Sequence, residues 1–532
     1  MIHECPVSIF GNLNRNCVSV AIYSRPLGRQ RERVGDGSFG RSGVLSHGRK
    51  GKAVKARTGG KKGEEGLMKE RGGIGFGFFV LTALSFCFTG SSLAYTLMDG
   101  NFELKGFVRN ITAVRTENPK GGLGGDQFKS GEVELSKSFL QAEGTYTIKP
   151  TLKVYGRWRG AYDAVFDIKG EEKFSQAVID DQRLENEVQE LYVDIQQGSL
   201  FLRLGKQQVV WGESDGLRLA DIINPLDFRW HYFLEDWQDI RQGLPMIRAI
   251  YGVTAKTDLE FVWAPVSFKP AKFAGAGTYW EFPGAGVGGI PEKKYDTNIR
   301  NGSVGGKIKT TLGTGFDVSL YDYYHRFESP TLSAPNPIDP TTWEFVHPFV
   351  NSIGGTFNVF VNPVKTVFRG EAVYNKDEPH TDFTKPEFIS KKNTFSFMLG
   401  ADRPTRLPIN SESSLLSFQV FQKMVLSEDP TTVMFGDSAA PGEKDTQTMI
   451  TGLIMTSYNY LIPSVILTPS VFVVYDVIGA GWARPMVNLK YGDNLSVSLA
   501  YNKFWGHKDG RGFFDPFSDR SEAYLDVKYS FQ

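Results

Sequence analysis

Cysteine is almost missing from this sequence of 532 residues, and the few that occur are unevenly placed. Cys5, Cys17 and Cys87 all precede residue 95. The region 95–532 therefore cannot be stabilised by disulfides, and it offers no thiolate for a metal site or for nucleophilic catalysis.

Long hydrophobic runs are also scarce. One apolar stretch, residues 74–88, follows the charged segment 68–71 and precedes the small residues Ser92 and Ala94. A charged start, a short apolar run and a small-residue end predict a secretory signal peptide over residues 68–94. Because this run is too short to span a bilayer comfortably and no second one follows, the sequence excludes a helical membrane protein.

The segment 1–67 lacks any sustained apolar period, so we expect it to be a disordered basic extension. It carries 13 Lys or Arg residues against 5 acids, whereas residues 95–532 have a net charge of −8. A basic arm that binds nucleic acid would fit poorly with export. We interpret 1–67 as a mis-called start, with Met68 as the initiator, and we expect no nucleic-acid partner.

Recognisable catalytic and metal-binding patterns are missing as well. No histidine after residue 95 stands at metal-ligand spacing from another, and no HExxH motif occurs. The glycine-rich segment 284–289 is not followed by a helical pattern, which argues against a phosphate-binding loop. We expect no catalytic residues, no bound metal and no cofactor, and we predict that the protein is not an enzyme.

Alternation of apolar and polar residues dominates the region after residue 95. In the segment 152–163, apolar and small residues occupy one face, whereas the other face carries Lys153, Arg157, Arg159 and Asp163. Segments 495–502 and 521–531 alternate in the same way. A period of two with one apolar and one polar face predicts half-buried strands.

The connections between candidate strands alternate between short turns and long loops, and one of the long loops is expected over residues 376–392. We expect eighteen strands, starting near residues 102, 131, 151, 187, 200, 246, 258, 303, 315, 350, 365, 393, 413, 446, 463, 481, 495 and 521. This alternation is typical of a transmembrane antiparallel β-barrel with short periplasmic turns and long extracellular loops. The predicted fold class is therefore an all-β outer-membrane barrel over residues 95–532, with 16 strands as the alternative count.

A soluble β-sandwich or propeller is the competing fold, but it would bury apolar residues on its inner face. Here the less apolar face carries charges, and we expect Lys153, Arg157, Arg159 and Asp163 to face the lumen. The apolar face would contact outer-membrane lipid and lipopolysaccharide of a Gram-negative bacterium. The last strand, ending Tyr529-x-Phe531, resembles the C-terminal signal read by the barrel-assembly machinery, although Gln532 follows the aromatic residue.

An unusually acidic stretch occupies residues 212–245, which the strand count makes the third extracellular loop. By analogy with general porins, we expect this loop to fold into the lumen as a constriction, where carboxylates would favour cations. A solvated surface loop is the alternative. The residues expected to form the constriction are Trp211, Glu213, Asp215, Arg218, Asp221, Asn224, Asp227 and Arg229.

The segments Gly205–Glu213 and Ile223–Asp227 resemble the paired motif of an uncharacterised group of Gram-negative outer-membrane proteins, the domain of unknown function 1302. The resemblance implies an outer-membrane location and a link to hydrophobic compounds. The predicted function is a porin-like channel that passes small or hydrophobic compounds. The alternative is a plugged binding or structural barrel that partners a periplasmic lipid carrier and an efflux-type inner-membrane transporter.

Overall fold

The architecture is described from a computed structural model. The structure describes residues 95–97, 100–120, 127–229, 231, 236–265, 268–281, 290–382, 385–407, 413–426, 446–507 and 513–531. The predicted extension 1–67 and signal peptide 68–94 lie outside these residues.

Eighteen antiparallel strands form one continuous sheet, and each strand pairs with the next along the chain. The last strand pairs with the first, so the sheet closes into a barrel. The strands are β1 Phe102–Arg115, β2 Val133–Lys149, β3 Leu152–Asp163, β4 Leu184–Gln197, β5 Leu200–Gln207, β6 Leu244–Thr254, β7 Thr257–Ala264, β8 Ser303–Leu312, β9 Phe316–Arg326, β10 Phe349–Val361, β11 Thr366–Thr381, β12 Ile389–Thr405, β13 Ser413–Val425, β14 Thr446–Ile462, β15 Val465–Asp476, β16 Ala480–Tyr491, β17 Leu495–Trp505 and β18 Glu522–Phe531. The predicted fold class and the count of eighteen are confirmed, and the alternative of sixteen is wrong.

The barrel exterior is apolar. Leu320 on β9 and Leu499 on β17 expose 67% and 62% of their surface, although both lie in the middle of a strand. Exposed tyrosines stand near the short turns, at Tyr146, Tyr251 and Tyr491. An apolar band bordered by aromatic residues matches a bilayer's hydrocarbon layer and its interface.

The hairpin of β11 and β12 corrects one expectation. The sequence predicts a long loop over residues 376–392, because Asp377, Pro379 and Asp382 are poor strand residues. Instead the pairing continues to Thr381, past a bulge between Asn375 and Glu378. Asp377 adopts a left-handed conformation with φ of 62°, which absorbs the extra residues of the bulge and lets the strand continue.

The seam between the first and last strands is extended by a short segment. Strand β18 covers β1 only from Gly106 to Arg115. Tyr95–Leu97 pairs with three of the four remaining residues, Phe102 to Leu104. At Gly106 a Cβ atom would lie 2.7 Å from the ring of Phe531, so the glycine permits the last aromatic residue to pack over the seam.

The long connections carry the remaining elements. Three short helices, α1 Val165–Lys169, α2 Gln176–Gln182 and α3 Trp237–Ile240, lie between β3 and β4 and between β5 and β6. Two small sheets join Asp227–Phe228 with Lys272–Phe273 and Thr331–Ser333 with Glu344–Val346. Among the residues described, none of the helices is long and apolar enough to cross a bilayer.

Candidate functional site

The candidate site is built around the connection between β5 and β6, which we call the crossing loop and of which the structure describes residues 208–229, 231 and 236–243. Asn224 fastens its base. The Asn224 side-chain oxygen accepts a hydrogen bond from the Val209 amide at 2.7 Å. Its Nδ2 donates to the carbonyl oxygens of Gln207 at 3.1 Å and Gln242 at 2.9 Å. One buried amide therefore ties the end of β5 to the start of β6, which explains an asparagine at this position.

Trp211 fixes the direction in which the loop leaves β5. Its ring is 1% exposed and packs against Tyr321 and Tyr323 on β9, with centroids 5.2 and 5.9 Å away. Its Nε1 donates to Glu260 on β7 at 3.1 Å. Because these partners face the barrel interior, the loop turns inward immediately after the strand.

Beyond Trp211 the loop crosses to β11, where one carboxylate accepts hydrogen bonds from several of its amides. Glu371 on β11 accepts hydrogen bonds from the amides of Ser214 at 2.7 Å and Ala220 at 2.8 Å, and from the amide of Glu213. A Cβ atom at Gly212 would lie 3.1 Å from Glu371 Oε1. The glycine of the Trp-Gly-Glu segment therefore allows the carboxylate to approach the backbone closely.

Arg369, two residues earlier on β11, holds the same turn. Its Nη1 donates to the Glu213 carbonyl oxygen at 2.6 Å. Its Nη2 pairs with Asp215 and also with Asp402 on β12, the latter at 2.6 Å. We call Arg369 and Glu371 together the latch.

The tip of the turn reaches the strands diametrically opposite its origin. The Gly216 amide donates to Gln419 Oε1 on β13 at 3.2 Å. A Cβ atom at Gly216 would lie within 3.1 Å of Thr451 Cβ on β14. In a ring of eighteen strands β14 lies half-way round from β5, so the crossing loop spans the lumen.

The loop's own charges are largely paired with one another. Asp221 pairs with Arg241 Nη2 at 2.5 Å and lies 3.7 Å from Arg218. Asp227 pairs with Arg229 at 2.7 Å. Burial raises the pKa of Asp227, but the Arg229 guanidinium outweighs it and holds that pKa well below its usual range. Three of the four acids predicted to line the constriction, Asp215, Asp221 and Asp227, are thus paired with arginines of the loop or the latch. The fourth, Glu213, accepts a hydrogen bond from Asn358 Nδ2 at 3.4 Å.

The returning half of the loop packs against the wall formed by β1, β3 and β18. The carbonyl oxygen of Asp239 in α3 accepts from Arg159 Nη1 at 2.9 Å, and its carboxylate lies 4.0 Å from Arg109. His231 Nε2 hydrogen-bonds to Glu522 Oε1 at 2.8 Å, with neither side chain exposed. Several contacts on different strands hold this half.

The four residues predicted to face the lumen have different environments. Arg157 and Arg159 are buried and pair with Glu190 at 2.6 Å and Glu185 at 2.7 Å. Lys153 is exposed near the short turns. Asp163 is buried at the other end of β3, where it accepts hydrogen bonds from the amides of Val165, the first residue of α1, and of Ser136 on β2.

Further loops fill the same end of the barrel. Trp280, in the connection between β7 and β8, packs against Phe504 and Phe517 on the far side. Arg520 Nη1 donates to the carbonyl oxygens of Tyr279 and Glu281 at 2.9 and 2.8 Å. The large apolar cluster at this level includes Phe128, Phe166, Trp237, Trp280, Phe421, Trp482, Phe504 and Phe517.

The latch residues and Gln419 were not among the residues predicted from the sequence. Arg369 and Glu371 occupy ordinary inward positions of an alternating strand, like dozens of other polar residues. Only the adjacent Gly370 and the density of charge on one short stretch set them apart. Within the part of the chain that the structure describes, no group of three or more His, Cys, Asp or Glu is arranged to hold a metal ion.

Comparison with known proteins gives a family and distant structural likenesses. Residues 78–531 match the family model described as "Protein of unknown function (DUF1302)". No curated protein matches. The chain is similar to OccAB2 of Acinetobacter baumannii, with 9% identity, coverage of 82% of this chain and 98% of that one, and a TM-score of 0.46.

Two other solved structures are similar over comparable lengths. The outer-membrane channel DcaP of Acinetobacter baumannii has 12% identity, coverage of 82% and 100%, and a TM-score of 0.41. OmpF of Salmonella typhi, in complex with daunomycin, has 9% identity, coverage of 82% and 99%, and a TM-score of 0.41.

Proposed function

This chain belongs to the DUF1302 family, as its Trp-Gly-Glu and Ile-Asn-Pro segments predicted, and we propose that it is a gated outer-membrane channel. In this proposal the crossing loop is the gate and the latch on β11 holds it closed. The closed barrel and its apolar exterior support a location in the outer membrane, because only a closed sheet leaves no unpaired edge in lipid.

The single observation that carries the proposal is the manner in which Glu371 holds the loop. Its carboxylate accepts three backbone hydrogen bonds, from Glu213, Ser214 and Ala220, across the lumen. Charge-assisted hydrogen bonds are strong singly, but all three share one acceptor group, so they form and break together. A segment whose backbone is held mainly by two neighbouring side chains of one strand, Glu371 and Arg369, is suited to switch between two positions.

The interior near the short turns supports a water-filled vestibule below the gate. Inward-facing residues there are charged and exposed: Glu103, Lys105, Lys153, Asp258 and Lys309. A fully packed structural barrel would have no reason to keep five charges solvated on its inner surface. We infer that small solutes in this vestibule are separated from the outside by the crossing loop.

The plugged binding or structural barrel stays as the second candidate, because the large apolar cluster fills the long-loop end. It would serve as the outer-membrane partner of a periplasmic carrier and an inner-membrane transporter. The two candidates differ in one measurable property, since a plugged barrel conducts no ions whether or not its latch is intact.

We expect the purified barrel to show brief, rare openings in planar lipid bilayers, and Glu371→Gln to raise the mean current several-fold. A glutamine offers one oxygen instead of two and turns its NH₂ group toward amide donors, which costs about 1–3 kcal/mol for each donor left unsatisfied. Single-channel recording at fixed voltage measures this change.

Glu143→Gln is the matched control. Glu143 on β2 is also an inward-facing carboxylate. It accepts hydrogen bonds at 2.8 Å from Gln141 on the same strand and from Tyr155 on β3. Its neutralisation should leave the current unchanged. Equal currents for the wild type and Glu371→Gln would refute the gate, and complete silence of both would favour the plugged barrel.

A further inference from the structure

We propose that a pocket on the long-loop side of the gate binds an uncharged single-ring molecule with one hydrogen-bonding group, of which phenol is the simplest. The inference rests on the proposed function, because it assigns a solute class to the same lumen. It concerns a cavity of about 130 Å³ between the crossing loop and strands β11 to β14.

The floor of this pocket is apolar. Leu217 and Leu219 contribute from the crossing loop, and Phe421 and Met449 contribute from β13 and β14. A dry cavity of about 150 Å³ lined by aliphatic and aromatic side chains is large enough to hold one benzene ring. The pocket therefore has the size and the lining for a single ring.

The rim of the pocket is charged but balanced. Lys423 pairs with Glu378, and Arg218 lies 3.3 Å from Glu328. Both acids and both bases line the cavity, so an anionic or a cationic ligand would meet a like charge as well as an opposite one. A neutral molecule with a hydroxyl group can hydrogen-bond to this rim without disturbing either pair.

The same wall stays apolar on the other side of the gate. Leu453 pairs with Phe472, and Met455 pairs with Ser470, which pairs in turn with Met486. These inward positions of β14 to β16 continue the apolar surface of Phe421 and Met449 toward the short turns. The row Gln419–Thr451, on which the loop tip rests, separates the two parts. The pocket and this strip form one apolar track that the gate interrupts.

The test uses 4-fluorophenol as the probe and the intact barrel in lipid nanodiscs. Fluorine NMR line broadening should be saturable for the wild type. Ser396→Leu places a larger apolar side chain in the pocket and should weaken binding by about tenfold or more, since the filled space removes the ring's contacts. Thr145→Leu, an inward hydroxyl-to-leucine change on β2 away from the pocket, should leave binding unchanged.

Two further arms make the result decisive. Leu219→Trp fills the pocket from the loop side and serves if Ser396→Leu does not fold into a barrel with heat-modifiable electrophoretic mobility. 4-Fluorobenzoate, the charged analogue, should bind about tenfold more weakly, because its carboxylate loses water and finds both bases of the rim already paired with acids. Broadening that is linear in probe concentration, or equal in the wild type and both filled variants, would show partitioning into lipid and overturn the proposal. Equal binding of the benzoate would overturn the assigned class.

Bilayer current recorded from the same preparations separates this inference from the proposed channel. If the protein conducts but shows no saturable binding, the proposed binding site is wrong and the proposed channel still stands. A saturable site in protein that never conducts, even as Glu371→Gln, disproves the channel and leaves the binding site standing.

Discussion

The outgoing half of the crossing loop, residues 211–221, and its returning half, residues 227–242, meet opposite walls of the barrel. The outgoing half is held chiefly through its backbone, which donates to Glu371 and accepts from Arg369. The returning half is held through dispersed contacts, among them Asp239 with Arg159 and His231 with Glu522.

The difference matters because concentrated and dispersed contacts respond differently to a single change. Removing one of several independent contacts leaves the rest in place, whereas removing the Glu371 carboxylate releases three backbone hydrogen bonds at once. Only the contacts with Arg369 and Gln419 then remain at the turn. The outgoing half is therefore the part suited to move, and the returning half acts as its fixed support.

The largest effect is expected from tethering the outgoing half covalently. A Cβ atom at Gly216 would lie 3.1 Å from Thr451 Cβ, close to the spacing of about 3.5–4.5 Å in disulfides. In the Glu371→Gln background, Gly216→Cys with Thr451→Cys should conduct when reduced and fall silent when oxidised. Residues 95–532 contain no other cysteine to compete.

Bilayer recording before and after a reductant checks this prediction. Thr451→Cys alone in the same background controls for the effect of a single cysteine on β14, and its current should be the same under oxidising and reducing conditions. Currents that persist through complete oxidation of the pair, verified by loss of free thiol, would show that the outgoing half does not block the lumen.

A moderate effect of the opposite kind is expected at the returning half. Arg159 is buried and pairs with Glu185 at 2.7 Å. Arg159→Gln leaves that carboxylate less well paired and should lower the free energy of unfolding by about 3 kcal/mol. The latch is untouched, so the mean current should stay at the wild-type value. Urea unfolding in detergent measures the change in stability, and bilayer recording measures the current. A current as large as that of Glu371→Gln would contradict the distinction between a movable outgoing half and a fixed returning half of the loop.

The strands of this barrel could be predicted from the sequence because each is a local pattern. All eighteen predicted starts fall within four residues of those observed. Both signals used, alternation with a period of two and the residues typical of turns, extend over only a few neighbouring positions. The prediction of a long loop over residues 376–392 was wrong, because the bulge at Asp377 lets the strand continue through residues that otherwise indicate a turn.

The latch could not be predicted in this way. Trp211, Gly212 and Asn224 stand out because their shapes serve the loop's exit and base, and they lie beside the strand that they leave. Glu371 lies 157 positions after Ser214, to which it is hydrogen-bonded, on an inward position that alternation alone would fill with any polar residue. The strands that a loop contacts depend on the three-dimensional path of the loop, and a local sequence pattern does not predict that path.

The smallest effect is expected from acid acting on His231 in the returning half. Burial lowers the pKa of His231, and Arg484 and Arg109 act in the same direction, while Glu522 opposes them without reversing the shift. A released loop would expose the histidine and restore its ordinary pKa of about 6.5. Because the docked state then binds fewer protons than the released one, stability of docking is complete above that value and declines as the pH falls below it.

The slope of this decline cannot exceed about 1.4 kcal/mol per pH unit for one proton. We therefore expect the mean current to rise modestly between pH 7.5 and pH 5, and His231→Gln, which keeps a donor for Glu522, to flatten the profile. If the variant kept the full acid response, another group would control the returning half. A rise as steep as that produced by Glu371→Gln would mean that the fixed support also moves, and the contrast between the two halves would fail.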